Sequence, residues 1–227
     1  MSAHLQSGWH AAVRHMLGAA VVVVAGCSLS LTAEVIDRIV ATVNHHAILQ
    51  SEWDEAVEFE CLMSGRSLQE VTAESRMQAL ERLIDQELIA EQMRAGSFVP
   101  ATAEEIAGRV RELRQTVPAW KTDDGWRAAL VSYGLTEQDV EERTAVQVNL
   151  SCYLDLRFRP EIHIERRAME DYYRLQLLPQ MRASGWPDTP FEQMAPKIEQ
   201  LLIEQRMSEL QDEWLRSLRL QQEIRVR

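Results

Sequence analysis

The sequence predicts a mostly α fold with a small β-sheet formed by an N-terminal hairpin and a C-terminal strand. Three observations carry this. Residues 34–43, "EVIDRIVATV", alternate in polarity, as a strand with one buried face does. From about residue 51 to residue 220, apolar positions recur at helical spacing in runs separated by glycine and proline. The closing "EIRVR" alternates again. A lone two-stranded hairpin is marginal in water, so "IRV" is the expected third strand. The two ends of the folded region would then meet, with the helices between them in one domain.

Each element has its own signal. Val35, Ile39, Ala41 and Val43 fall on one side of the first strand. "NHH" is the turn, because Asn44 accepts a left-handed backbone at low cost, and "AIL" returns. Ser51 reads as the N-cap of the first helix, with Glu52, Asp54 and Glu55 complementing the helix dipole. The second helix spans about Thr72 to Ala95, stops at Gly96, and carries the stripe Met77, Leu80, Leu83, Ile84, Leu88. "TAEE" (Thr102–Glu105) is a capping box opening the third. "DDGWRAALVSYG" gives a short helix closed by Gly134, and Thr136 caps a long one carrying Val140, Leu150, Leu154 and Phe158. Pro160 ends it. "EIHI" alternates like a short strand, a helix from about Arg166 to Met181 follows, and "SGWPDTP" is a loop. The last long helix runs from about Phe191 to Leu220.

The first 33 residues differ from the rest. They hold one arginine, Arg14, and no acid, and "MLGAAVVVVA" (Met16–Ala25) has the length of an export-signal core. Residues 1–33 are therefore expected to be a signal peptide and residues 34–227 the folded part. "VAGC" resembles a bacterial lipobox, which makes Cys27 a candidate lipidation site and membrane tether. Cleavage after "LTA" (Leu31–Ala33) and retention as an uncleaved anchor are the other readings. All three put the folded part outside the cytoplasm, in the periplasm or on the periplasmic face of a membrane. There Cys61 and Cys152 could pair or stay as separate thiols.

Charge excludes one large class of partner. Net charge is −11, with 24 basic against 35 acidic residues, and nucleic-acid binding needs a basic surface. Among the basic residues only Lys121 and Lys197 are lysines. The paired His45 and His46 invite a metal reading, but adjacent strand residues point to opposite faces and no ligand motif accompanies them. No nucleophile set or phosphate-binding loop is legible, so neither catalytic residues nor a cofactor nor a metal is expected.

"VIDRIVATVNHHAILQSEWDEAV" resembles the opening of the SurA N-terminal domain, found in periplasmic chaperones for outer-membrane proteins. The resemblance rests on Asp37, Arg38, Ile39, Val40, Ala41, Val43, Asn44 and Ile48, and on "ALERLIDQELIAEQ" (Ala79–Gln92). It extends to about Phe158, and the C-terminal helix and strand look like the closing elements of such chaperones. It implies a helical chaperone domain built from N- and C-terminal segments. The implied function is ATP-independent binding of unfolded outer-membrane or secreted proteins. Relatives often carry a parvulin prolyl isomerase domain between these parts. Here the region after Phe158 runs straight into helices, with Gly185 its only glycine and His163 its only histidine. No isomerase domain, and hence no enzyme activity, is expected. A prolyl isomerase and a tethered assembly factor with one folded partner stand as the alternatives. Tryptophans in polar loops suggest contact residues for unfolded polypeptides: Trp120 and Trp126 in "VPAWKTDDGW", and Trp186 and Phe191 in "SGWPDTPF".

Overall fold

A computed structural model of the protein describes residues 37–227. The expected signal segment and Cys27 lie outside the described residues. Strand β1 (Ile39–Val43) turns into β2 (His46–Leu49). Asn44 takes the left-handed conformation, φ 51°. Strand β3 (Ile224–Val226) pairs antiparallel with the other edge of β1, so the sheet order is β2-β1-β3. A bulge between Ile39 and Ala41 buries both Val40 and Ala41, which a regular pleat would send to opposite faces.

The helices begin and end where the caps direct. Helix α2 (Ala73–Ala95) starts after Thr72, whose hydroxyl accepts from the Ser75 N–H. In α3 (Ala103–Thr116) the Thr102 hydroxyl accepts from the Glu105 N–H, and Glu105 Oε2 accepts from the Thr102 N–H at 2.7 Å. Helix α4 (Asp123–Tyr133) closes on Gly134 at φ 75°, and α5 (Glu137–Phe158) is capped by Thr136. One cap differs from expectation. Helix α1 (Gln50–Ser64) begins before Ser51, and Glu52 Oε2 caps the Leu49 N–H at 2.7 Å. The N–H and hydroxyl of Ser51 both bond the Asp37 carboxylate instead. The Ser51 hydroxyl is the chief cause holding the Asp37 carboxyl below its ordinary range.

"EIHI" forms no strand. Its alternation is real, with Ile162 and Ile164 half-buried between exposed Glu161 and His163, but the isoleucines border a cleft against Leu202 rather than a sheet edge. The helix expected over residues 166–181 is also interrupted. It runs as α6 (Arg166–Tyr172), a π turn at Tyr173–Leu177, and α7 (Leu178–Ala183). Pro179 accounts for the break. It has no N–H to give the Leu175 carbonyl, and in a regular helix its ring would strike that carbonyl. The chain widens, and the Leu178 N–H donates to the Tyr173 carbonyl five residues back.

Three apolar clusters make the core. The sheet, α1, α2 and Leu218 of α8 (Phe191–Gln221) bury Val40, Val43, Ile84 and Leu88. Helices α1 and α3–α5 enclose Phe59, Leu62, Leu130 and Val140. Ile89, Leu154 and Phe158 pack with Trp214. Trp120 and Trp126, expected in a polar loop, belong to the second cluster. They are only 7% and 2% exposed, with ring centroids 5.8 Å apart. A tight turn at Pro118–Lys121 folds Trp120 inward, and Trp126 stands on the inner face of α4.

Arginines join the helices. Arg76 of α2 lies 4.8 Å over the Trp53 ring of α1 and pairs with Asp54, while Trp53 Nε1 donates to the Arg76 carbonyl at 2.7 Å. Arg143 of α5 donates to Glu55 Oε1 at 2.5 Å and to the Glu52 carbonyl at 2.7 Å. Arg219 of α8 donates to Glu81 and Asp85 of α2, each at 2.7 Å. A planar guanidinium can serve two acceptors in fixed directions and an ammonium cannot, which gives the scarcity of lysine a structural sense.

Two backbone constraints lead to measurable outcomes. Asn44→Ala strains the left-handed position, about 1–2 kcal/mol, and removes the side-chain bonds to the Glu223 N–H and to Glu91 of α2. The expected loss of unfolding free energy in urea is about 2–4 kcal/mol. Gly125 is the second. A Cβ there would lie 1.8 Å from the Ala119 carbonyl oxygen. Gly125→Ala is expected to lower stability by about 2 kcal/mol or more through overpacking, and to alter tryptophan fluorescence through Trp120 and Trp126.

Candidate functional site

The segment between α2 and α3 crosses α5 at two anchors. The Phe98 ring stands edge-on to Tyr153 with centroids 5.7 Å apart, and the Ala101 N–H donates to Asn149 Oδ1 at 2.7 Å. Beside these anchors opens a groove of about 820 Å³. Its walls are Val99 and Pro100 on one side and Val148, Cys152 and Leu156 of α5 on the other. Val99 is 82% exposed and Leu156 71%. The volume lies within the range of ligand-binding clefts, and an exposed apolar lining marks an interaction surface. Leu156 also borders a second cleft, of mixed polarity, with Tyr153, Arg157, Phe158 and Glu161 at the end of α5.

Charges sit only on the rim. Asp155 holds Arg159 bidentately at 2.9 Å in both bonds, which keeps the guanidinium firmly charged. Glu105 takes two bonds from Thr102, both on Oε2: the N–H at 2.7 Å and the hydroxyl at 2.8 Å. The Thr102 N–H is the first cause holding the Glu105 carboxyl below its ordinary range, with the hydroxyl second.

The four residues expected to make contacts separate. Trp120 and Trp126 are core residues. Trp186 is in the loop after α7 and is 67% exposed. Phe191 is half-buried. Its ring meets Tyr173 edge-on at 5.7 Å and lies under Arg166 at 5.2 Å, while the Tyr173 hydroxyl donates to the Thr189 carbonyl. Phe191 thus pins the start of α8 to the π turn. Leu175, on that turn, is 66% exposed.

The groove residues went unread in the sequence, although a signal exists. Val148, Cys152 and Leu156 are spaced by four, two residues out of step with Leu150, Leu154 and Phe158. Two residues turn a helix by about 200°, so α5 carries a second apolar row nearly opposite its core row.

Among the described residues the titratable groups lie apart. His45 is exposed in the turn, and His46 Nε2 lies 3.8 Å from Glu87. Among the described residues no group of three or more His, Cys, Asp or Glu is placed to hold a metal ion. Cys61 is buried and Cys152 exposed, both as free thiols, and burial pushes the Cys61 thiol up. Among the described residues no helix is long and apolar enough to cross a membrane.

Comparison with known families gives one match. A family model described as a SurA-like N-terminal domain matches residues 1–152. The matched stretch covers β1 through most of α5, which includes both walls of the groove up to Cys152. No curated protein matches the chain.

The groove is testable without reference to any partner. Val99→Ser with Leu156→Ser is expected to weaken binding of an apolar fluorescent dye several-fold. The urea midpoint should hold within the roughly 0.5 kcal/mol typical of surface substitutions. Unchanged dye fluorescence would place the apolar surface elsewhere.

Proposed function

The chain belongs to the SurA-like N-terminal domain family, and on that footing we propose that it is an exported, ATP-independent chaperone that binds unfolded outer-membrane or secreted proteins. In this reading residues 1–33 direct export, Cys27 can carry a lipid tether, and residues 34–227 hold clients outside the cytoplasm. The observation that carries the reading is the groove between the α2–α3 segment and α5. It is an open apolar surface on a member of a chaperone-type family, with no reactive constellation beside it. Trp186 and Phe191 on the α6–α8 arm are the further contact residues proposed, with Leu175 near them.

The chemistry of holding follows from these parts. Burying apolar area stabilises a complex by about 25 cal/mol per Å² before the cost of association. An open groove covers a few client side chains at a time. Binding is then weak and exchanging, which allows release without a nucleotide cycle. Occupancy lowers the concentration of free unfolded chain by mass action, and that suppresses aggregation. The net charge of −11 keeps the loaded complex soluble. Residues 166–221 form helices α6–α8 with the π turn and one loop between them, and this supports a holding role over prolyl isomerisation.

Light scattering tests the proposal. A β-barrel protein diluted from urea is expected to aggregate several-fold more slowly in the presence of the purified chain. Undiminished scattering at several-fold molar excess of the chain would sink the chaperone reading.

A further inference from the structure

We propose that the groove beside α5 selects apolar segments flanked by a lysine or arginine, which deepens the chaperone reading and rests on it. The argument is charge complementarity. The walls are apolar, so affinity must come from side chains such as those of leucine, valine or phenylalanine. The rim, however, is not electrically neutral. Its one cation, Arg159, is engaged on two nitrogens by Asp155. Among the described residues no cation pairs with Glu105 at one end of the groove. Beyond Leu156, Glu161 shares its cleft with Arg157, whose guanidinium lies 4.5 Å over Trp214, so that end carries both signs of charge.

Glu105 is also built to stay anionic and oriented. Both bonds from Thr102 fall on Oε2, which leaves Oε1 facing solvent as a free acceptor. An extended segment lying along Val99 and Leu156 would bring a flanking residue to Glu105. A lysine or arginine there completes an ion pair, and an aspartate or glutamate meets repulsion. The preference is therefore set by both attraction and rejection. Segments rich in acidic residues, including the acidic stretches of this chain itself, are turned away.

Fluorescence anisotropy on the full chain tests this with three peptides of one apolar core, flanked by lysine, glutamine or glutamate. Lysine flanks are expected to bind tightest and glutamate flanks weakest, with steps of roughly two- to fivefold, the size of an exposed ion pair. The steps should shrink at high salt. Glu105→Gln preserves the helix cap, because glutamine serves at the same capping position. It should reduce the lysine–glutamate difference while leaving the glutamine peptide's affinity and the circular dichroism unchanged. Equal affinity for all three peptides overturns the inference, as does a difference that survives Glu105→Gln. If no peptide binds but aggregation is still suppressed, the inference fails and the chaperone reading stands. If neither occurs, both fail.

Discussion

Everything else in the fold depends on β1 being paired on both sides, and on one side its partner comes from the far end of the chain. Asn44 makes that junction. Its N–H donates to the Glu223 carbonyl at 2.8 Å, and its Oδ1 accepts from the Glu223 N–H at 3.0 Å, across 179 residues. Its Nδ2 donates to Glu91 of α2 at 2.7 Å. A single side chain, held in a left-handed turn, thus ties hairpin, C-terminal strand and second helix together. Beyond the turn, the Arg227 N–H donates to the Val40 carbonyl. Until β3 arrives, β1 presents an open edge beside an apolar face, a template for mispairing. Closing so long a loop is slow, but each doubling of loop length adds only about 0.6 kcal/mol. The junction therefore governs how the protein folds more than how far it is stabilised.

The junction also fixes where α8 lies. Its second half must reach the sheet, so it lies along α2 and α5, where Arg219 joins α2 and Trp214 packs on Phe158 at 5.6 Å. Arg157 stacks 4.5 Å over the other side of the Trp214 ring. Its first half has no such partners. At 31 residues α8 is about 46 Å long, and beyond the core it pairs with α6 and the π turn. Burial follows the division. In the arm only Met181 and Ile198 are buried, and its ion pairs, Arg166 with Glu170 and Arg182 with Asp188, are exposed and worth little each. The body therefore holds most of the buried apolar contacts, and the arm holds few.

Local rules were legible in the sequence, and choices between faces were not. Thr102 and Thr136 cap helices as read, because a cap needs only a hydroxyl and the next few backbone N–H groups. Gly134 closes α4, and "IRV" joins the hairpin. The misreadings share one cause. Ser51 has a cap residue's chemistry, yet Asp37, which packs beside it, took its hydroxyl and left the cap to Glu52. "EIHI" has strand alternation, yet no strand edge was free where it lies. Trp120 and Trp126 sit among polar residues in sequence, yet a tight turn and a helix face rotate both inward. In each case tertiary packing decided between outcomes that local pattern allows equally. The resemblance to a chaperone family was legible because its positions, Asp37 to Ile48 and Ala79 to Gln92, are those of the strand junction and of the helix packed on it.

Helix α5 shows how the binding surface arises from the same constraint. Its core row must face α2 and α8, and Leu154 and Phe158 are accordingly 9% and 7% exposed. That fixes the helix rotation, and with it the direction of Val148, Cys152 and Leu156. Were these residues polar, the helix would pack no worse, since none of them contributes to the buried clusters. Their apolar character is therefore not explained by stability. Phe98 and Ala101 hold the opposite wall at a set distance, so the groove is formed before anything enters it and loses little conformational freedom on binding. Within the groove the one cation, Arg159, is held by Asp155, and the capping box at Thr102 shows the economy of the arrangement. The same Glu105 that starts α3 supplies the rim's unpaired charge, so helix initiation and recognition are set by one side chain.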